Sequence, residues 1–249
     1  ADHKELAYQY QLESAELALS SFSLRLALNF YLKAKEILES SQIKEKGQKI
    51  IELTMKIAGL KFQLGYYKSN IEMLEKAIPI VNQINDQSAL ARIYHLISRN
   101  YFLLGDQLKA TNYCYQVIPI AEKLNIPELL GIPYCAIGRM HCFLANFKES
   151  IEFIQKGLKY LPKEESLERV YSLGILSNSL GAIGLIEEAY KVIDQIEEEF
   201  KDNSNELIQV YVIFYSASLH CLLGNPDMGI KETKKAYELA KHLKNRHIE

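Results

Sequence analysis

The sequence of 249 residues lacks tryptophan altogether and has only four cysteines and six prolines. No apolar run reaches the roughly 18 residues that a membrane-spanning helix needs. The N-terminal stretch ADHKELAYQY carries no apolar signal-peptide core. The cysteines have no spacing typical of a disulfide framework, and each lies in an apolar helical pattern: Cys114, Cys135, Cys142 and Cys221. They are predicted to be small buried hydrophobic residues in a reducing compartment, and we expect a cytoplasmic protein.

The chain also lacks an excess of charge of either sign. Its 29 Lys and Arg residues oppose 31 Asp and Glu residues, which gives a net charge of −2. Such a balance supplies no general attraction to nucleic acid or to an anionic membrane, so neither is expected as a partner. An apolar fraction of 48% is typical of a well-packed globular protein.

Motifs that carry chemistry are missing as well. The glycines occur singly, and the nucleotide-binding pattern GxxxxGK[ST], the zinc pattern HExxH and the pair CxxC are absent. The segment CAIGRMHC holds the closest grouping of Cys and His, but His141 points about 100° away from Cys142 on a helix. Core packing is the favoured interpretation, so no metal, cofactor or catalytic residue is predicted; an enzyme with an unrecognised site is the weakest alternative.

What the sequence does contain is a repeat. Five residues recur at intervals of 40, 40, 39 and 40, and a sixth copy precedes them at an interval of 43: Phe22, Gly65, Gly105, Ala145, Gly184 and Gly224. Seven residues before each of the five stands a small residue: Ala58, Ser98, Gly138, Ser177 and Ala217. Five residues after it the side chain is again mostly small: Asn70, Ala110, Ser150, Ala189 and Gly229. The six residues that recur at these intervals, from Phe22 to Gly224, are called the turn residues below.

Apolar residues recur at helical spacing on both sides of each turn residue, and no strand-like alternation is found. Each copy is therefore predicted to be a helical hairpin, and helix-start signals at Asp86, Pro127 and Ser204 or Asn205 separate some of the copies. The small residues let the two helices of a hairpin approach closely. We expect an all-α solenoid of about twelve helices, one domain over 1–249, with repeats at about 3–40, 47–84, 87–125, 127–162, 166–202 and 205–244.

The pattern IA, IS, IG and LS at 57–58, 97–98, 137–138 and 176–177, followed by an aromatic residue or His, then LG, then Ala, resembles the tetratricopeptide repeat. The family's small, Tyr, Gly and Ala positions match Ser98, Tyr101, Gly105 and Ala110. The resemblance implies a right-handed superhelical solenoid. The period of about 40 is longer than the usual 34 and is similar to repeats of bacterial signal-transduction ATPases, including maltose-activator-type regulators. Because the first residue is Ala, we expect a fragment of a larger multidomain protein.

The tetratricopeptide family builds its concave wall from the first helix of each repeat. Carried over by position, the resemblance implies a ligand or partner groove that contains Arg92, His95, Arg99, Arg139, Tyr171, Asn178 and Tyr211. Convergent Arg side chains suit a carboxylate or phosphate, so one interpretation of the cluster is a site for an anion or an acidic peptide. The alternative is that these Arg residues form ion pairs with Glu128 or with Glu residues of adjoining helices.

Three functions remain open at this stage. The first is a non-catalytic scaffold or sensor that binds a peptide or protein in a signalling or transcription-regulatory protein. The second is a peptide-pheromone receptor of the Gram-positive quorum-sensing type, and the third is an enzyme. The sequence does not identify the ligand or the oligomeric state.

Overall fold

The computed structural model describes residues 2–41, 43–161, 163 and 166–242, and over these residues it contains twelve α-helices and no strand. The predicted repeat ends at 162 and 243–244 lie outside the described residues. A short 3-10 helix, Pro127–Leu129, precedes the seventh α-helix. The helices are α1 (Asp2–Ser20), α2 (Leu24–Glu39), α3 (Lys46–Gln63), α4 (Tyr67–Gln83), α5 (Gln87–Leu103), α6 (Gln107–Lys123), α7 (Gly131–Phe143), α8 (Phe147–Tyr160), α9 (Ser166–Ala182), α10 (Ile186–Phe200), α11 (Glu206–Leu222) and α12 (Pro226–His242). The predicted all-α hairpin architecture is confirmed.

The turn residues end the first helix of every hairpin in a left-handed backbone conformation. Their φ angles are all positive, from 54° at Phe22 to 84° at Gly184. In each turn the next residue donates its main-chain N–H to a carbonyl five residues earlier, as Asp106 does to Tyr101 at 3.0 Å. This bond is typical of the Schellman motif, which favours glycine because a Cβ is strained at positive φ. The turn residues therefore recur about every 40 residues because each one marks the C-terminal end of the first helix of a hairpin.

The small residues lie where the two helices of a hairpin cross, as predicted. A Cβ on Gly138 of α7 would come within 3.0 Å of the Ile154 nitrogen and of the Ser150 carbonyl oxygen on α8. A Cβ on Gly157 of α8 would lie 2.8 Å from the main-chain nitrogen of Cys135. In the other hairpins, the residues seven positions before and five positions after the turn residue are buried as well. Short side chains at these points allow main chain to pack against main chain.

Polar small residues at the crossings also link one hairpin to the next. The side-chain amide nitrogen of Asn70 donates to the main-chain carbonyl oxygen of Ala58 at 2.9 Å within its hairpin. It also donates to the side-chain oxygen of Asn100 at 3.2 Å in the following hairpin. The hydroxyls of Ser150 and Ser179 form a 2.9 Å hydrogen bond between the fourth and fifth hairpins. Because a buried polar group is costly without a partner, these bonds fix the register of neighbouring hairpins.

The hairpins form two compact units, residues 1–125 and 126–249, called unit 1 and unit 2 below. Within each unit every helix packs against the next one along the chain, and first helices also meet: α3 contacts α5, α7 contacts α9, and α9 contacts α11. Each unit has a buried apolar core of its own.

Two of the helix starts agree with the sequence and one differs. The carboxylate of Asp86 accepts from the Ala89 N–H at 2.9 Å, and Asn205 caps α11 through the Leu207 N–H at 3.1 Å. Pro127, however, opens the 3-10 helix, and α7 begins only at Gly131. A Cβ on Gly131 would meet the main chain of Leu161 at 3.0 Å, so the helix starts where it first packs against the end of α8. None of the described helices is long and apolar enough to cross a bilayer.

Candidate functional site

The first helices of unit 1 carry a row of cationic and aromatic side chains. Arg92, His95 and Arg99 stand at helical spacing on one side of α5, and Phe62 belongs to the neighbouring helix α3. The guanidinium carbon of Arg99 lies 4.7 Å from the centre of the Phe62 ring. The surface that α3 and α5 form around this contact is called the cationic face below. Contact with the Phe62 ring holds the Arg99 guanidinium in place. Its N–H groups lie in the plane of the guanidinium and remain able to donate hydrogen bonds.

His95 belongs to the cationic face but adds no positive charge to it. Burial lowers the pKa of His95 to about 3, and the positive charges of Arg99 and Arg92 act in the same direction. Its Nδ1 atom is buried and has no hydrogen-bond partner among the described residues. The imidazole is thus neutral at physiological pH, and the positive charge of this face comes from Arg92 and Arg99.

Gly59 is a feature of the cationic face that the sequence analysis did not single out. It stands inside α3, one turn before Phe62, and a Cβ placed on it would meet nothing within 4 Å. A glycine in a helix interior costs about 1 kcal/mol relative to alanine, and here no neighbouring side chain requires it. The missing side chain leaves a shallow opening beside Phe62. An unexplained glycine in mid-helix was the available sequence signal.

Unit 2 presents mainly aromatic rings on its first helices α9 and α11. The Tyr171 ring of α9 lies 6.1 Å from that of Tyr211 and 6.0 Å from that of Tyr215, both on α11. A Cβ on Gly174 would clash with the Tyr215 ring, so this glycine admits the ring between the two helices. Tyr215 is almost fully buried, whereas Tyr171 and Tyr211 are half-buried and Phe214 is exposed. The result is an aromatic surface on α9 and α11.

Arg139 lies beneath this aromatic surface. Only 2% of the residue is exposed. Its guanidinium pairs with the carboxylate of Glu168 on α9 and stacks on Tyr171 with 4.9 Å to the ring centre. Burial opposes its charge, but Glu168 outweighs that effect, so the pKa of Arg139 is raised above its usual value. Arg139 therefore forms the internal ion pair of the alternative interpretation and ties α7 to α9.

Asn178 and Ser218 lie two helical turns beyond Tyr171 and Tyr211 on the same two helices. The amide nitrogen of Asn178 donates to the Ser218 hydroxyl at 3.0 Å. The amide oxygen of Asn178 is buried and accepts no hydrogen bond from a described residue.

The predicted groove residues thus fall into two groups. Arg92, His95 and Arg99 share the cationic face of unit 1. Arg139, Tyr171 and Tyr211 are connected in unit 2, with Asn178 next to them along α9. The groove that would join all seven stays a prediction, because each unit is defined on its own.

The cysteines separate by burial. Cys114 and Cys135 are buried, Cys142 is half-buried and Cys221 is exposed. The prediction of four buried cysteines is therefore wrong for Cys221, which stands in the last turn of α11. Burial raises the pKa of Cys135 to about 12, so its thiol remains protonated and unreactive at neutral pH.

Comparison with known proteins places the fold. No family model matches the chain, and neither does any curated protein. Among solved structures, the apo form of RapI superposes with a TM-score of 0.73 at 13% identity over 94% of this chain. The Rap conjugation gene regulator of plasmid pLS20, in complex with the Phr* peptide, gives 0.60 at 17% identity over 93%. Each match covers 63% of the Rap chain.

A third similar structure is a signal transduction ATPase with numerous domains from Pyrococcus horikoshii, which has a tetratricopeptide repeat sensor. Its TM-score is 0.70 at 16% identity, over 92% of this chain and 35% of that one. These identities are too low to carry a function across, but the fold is shared over almost the entire chain. The hairpin stack, the left-handed turn residues and these superpositions together show that the protein has the helical-repeat fold of tetratricopeptide-type proteins.

Proposed function

We propose that this chain is a non-catalytic binding module that takes a peptide or an extended protein segment on its first helices, as the sensor part of a signalling or transcription-regulatory protein. The observation that carries the proposal is the cationic face, where Arg99 is held against Phe62 next to the open position of Gly59. Stacked helical hairpins offer rigid, extended surfaces suited to such ligands.

The chemistry of the cationic face favours an acidic ligand. Arg92 and Arg99 provide guanidinium groups for forked hydrogen bonds to carboxylates, and neutral His95 lies between them on the helix. The opening at Gly59 lets the main chain of a ligand approach α3 more closely than any side chain would allow. An extended segment with Asp or Glu residues combines both requirements.

A role without catalysis agrees with the state of the Cys/His segment. The pKa of Cys135 is raised to about 12 by burial, and the His141 ring stacks on Phe153 at 5.3 Å. Cys135 is therefore not a nucleophilic thiolate at neutral pH.

A second candidate function is that of a peptide-pheromone receptor. It is favoured by the similarity to Rap structures, one of which is a complex with the Phr* peptide. In that case the aromatic surface on α9 and α11 would hold the peptide, since neighbouring tyrosine rings suit a short uncharged peptide.

Selection from a random-peptide display library distinguishes the two candidates. Wild-type protein is expected to enrich peptides with Asp or Glu, and the double variant Arg92→Glu/Arg99→Glu should lose that enrichment. Gly59→Leu should weaken capture of the same peptides while the melting temperature stays at or above the wild-type value. Peptides that depend on Tyr211 and ignore Arg92 and Arg99 would support the receptor instead. Equal enrichment by wild type and the double variant would contradict the proposal.

A further inference from the structure

A concave site lies among α2, α3 and α4 of unit 1. It has a volume of about 400 Å³, within the range of roughly 300–1,000 Å³ typical of small-molecule sites. Three lysines line it, one from each helix: Lys35, Lys61 and Lys76. The pocket is called the lysine pocket below.

Lys35 is the most enclosed of the three. Its side chain is 17% exposed, and its ion pair among the described residues is with Glu39 at 3.8 Å, longer than a hydrogen bond. Burial lowers the pKa of Lys35; Glu39 raises it, and the charge of Lys76 lowers it again. The Lys35 side chain is thus partly desolvated without a close anionic partner, which is unfavourable for the charged form.

Lys61 is in a similar position across the pocket. It donates to the carbonyl oxygen of Ser69 at 3.2 Å and lies 3.3 Å from the Ser69 hydroxyl, both neutral acceptors. Burial lowers its pKa, and so does the charge of Lys35, whereas Glu72 raises it. The lysines therefore repel one another inside one pocket.

The remaining lining residues define the kind of ligand that would relieve this repulsion. Glu39 and Glu72 are exposed, and with three lysines they leave one positive charge in excess. The rest of the wall is largely apolar, with Ile50, Met73 and Ala77 buried beneath the lysines. An anion alone would use only the lysines, and an apolar molecule alone would leave them unsatisfied.

We propose that the lysine pocket binds a small organic anion, a carboxylate or a phosphate monoester carried on a short apolar chain. The oxyanion accepts hydrogen bonds from Lys35, Lys61 and Lys76, and the chain packs on Ile50 and Met73. Charge-assisted hydrogen bonds of this type are the strong ones, and water leaves the apolar wall when the chain enters. The site is independent of peptide binding on the cationic face.

Calorimetric titration of the full chain with octanoate, octyl phosphate, octanol and inorganic phosphate tests this proposal. At least one of the two octyl anions should bind, and the tighter one identifies the head group. Affinity should fall about tenfold or more in the double variant Lys61→Gln/Lys76→Gln. Lys33→Gln, an exposed lysine of α2 outside the pocket, is the matched control and should bind like wild type.

A variant of Lys35 separates binding from folding. Glu39 is exposed, so Lys35→Met leaves no buried charge behind; the variant should keep the wild-type melting temperature and still lose the anion. Octanol binding as tightly as the octyl anions would overturn the proposal. So would the absence of binding by either anion up to about 10 mM, or an equal loss in Lys33→Gln.

Discussion

The turn residues show how a single backbone angle produces a sequence signal. Gly65, Gly105, Gly184 and Gly224 adopt the left-handed conformation without steric cost, but Ala145 has φ 59° and Phe22 has φ 54°. A residue with a Cβ pays about 1–2 kcal/mol for this conformation. The hairpin stack therefore imposes the turn even where the residue opposes it.

Replacing Ala145 by glycine should stabilise the protein. The strain of the Cβ disappears, and after the larger entropy of glycine in the unfolded chain we expect a gain of about 0.5–1 kcal/mol in the free energy of unfolding. Urea denaturation measures it. The same substitution at Ala7, inside α1, should cost about 1 kcal/mol because the backbone there is helical. Equal effects at both positions would contradict the argument.

His95 couples stability to pH. Its pKa is lowered to about 3 by burial and by Arg99 and Arg92, whereas an unfolded His titrates near 6.5. As the pH falls below about 6.5, the unfolded state takes up a proton that the folded state refuses, so stability decreases by up to about 1.4 kcal/mol per pH unit. Urea melts of wild type and His95→Gln between about pH 4 and 8 measure this; the variant should have a shallower slope. Parallel slopes would show that His95 titrates normally.

At the scale of the elements, close helix crossings hold the hairpins together. A Cβ added to Gly138 of α7 would meet the main chain of α8 at 3.0 Å, whereas one added to Gly59 of α3 would meet nothing within 4 Å. Two glycines in similar helices thus serve opposite purposes. One admits a neighbouring helix, and the other leaves a surface free.

Gly138→Leu should destabilise the protein by about 1–3 kcal/mol through overpacking of the α7–α8 crossing. Gly59→Leu is the matched control and should be neutral or stabilising, because the helix gains propensity and nothing is displaced. Thermal denaturation distinguishes the two. Normal stability of Gly138→Leu would mean that the crossing does not depend on a short residue.

The ion pair between Arg139 and Glu168 is a buried polar link between α7 and α9. Arg139→Met should cost about 3–5 kcal/mol because it leaves a poorly solvated carboxylate, and adding Glu168→Leu should recover most of that loss. The exposed pair of Lys201 and Glu198 is the control; Lys201→Met should cost less than about 1 kcal/mol. A double variant as unstable as the single one would show that the ion pair itself is required.

At the scale of the whole molecule, the fold was largely predictable and the site only in part. The repeat is visible in the sequence because local rules generate it, a left-handed turn residue and small residues at fixed offsets. The partner of Arg139 stands 29 residues away and depends on the packing of two hairpins. For the same reason neither the neutral state of His95 nor the exposure of Cys221 follows from helical spacing. The start of α7 was missed because its packing against α8, and not Pro127, determines it.

The functional account depends on the cationic face of unit 1 accepting carboxylates through Arg99. A charge exchange tests this most directly, with an acidic peptide from the display selection and the same peptide carrying Lys in place of Glu. The account predicts that the Arg99→Glu variant binds the acidic peptide about tenfold or more weakly than wild type does. The variant should bind the Lys peptide more tightly than wild type does. Equal affinity of wild type and Arg99→Glu for the acidic peptide, measured by fluorescence anisotropy, would contradict it.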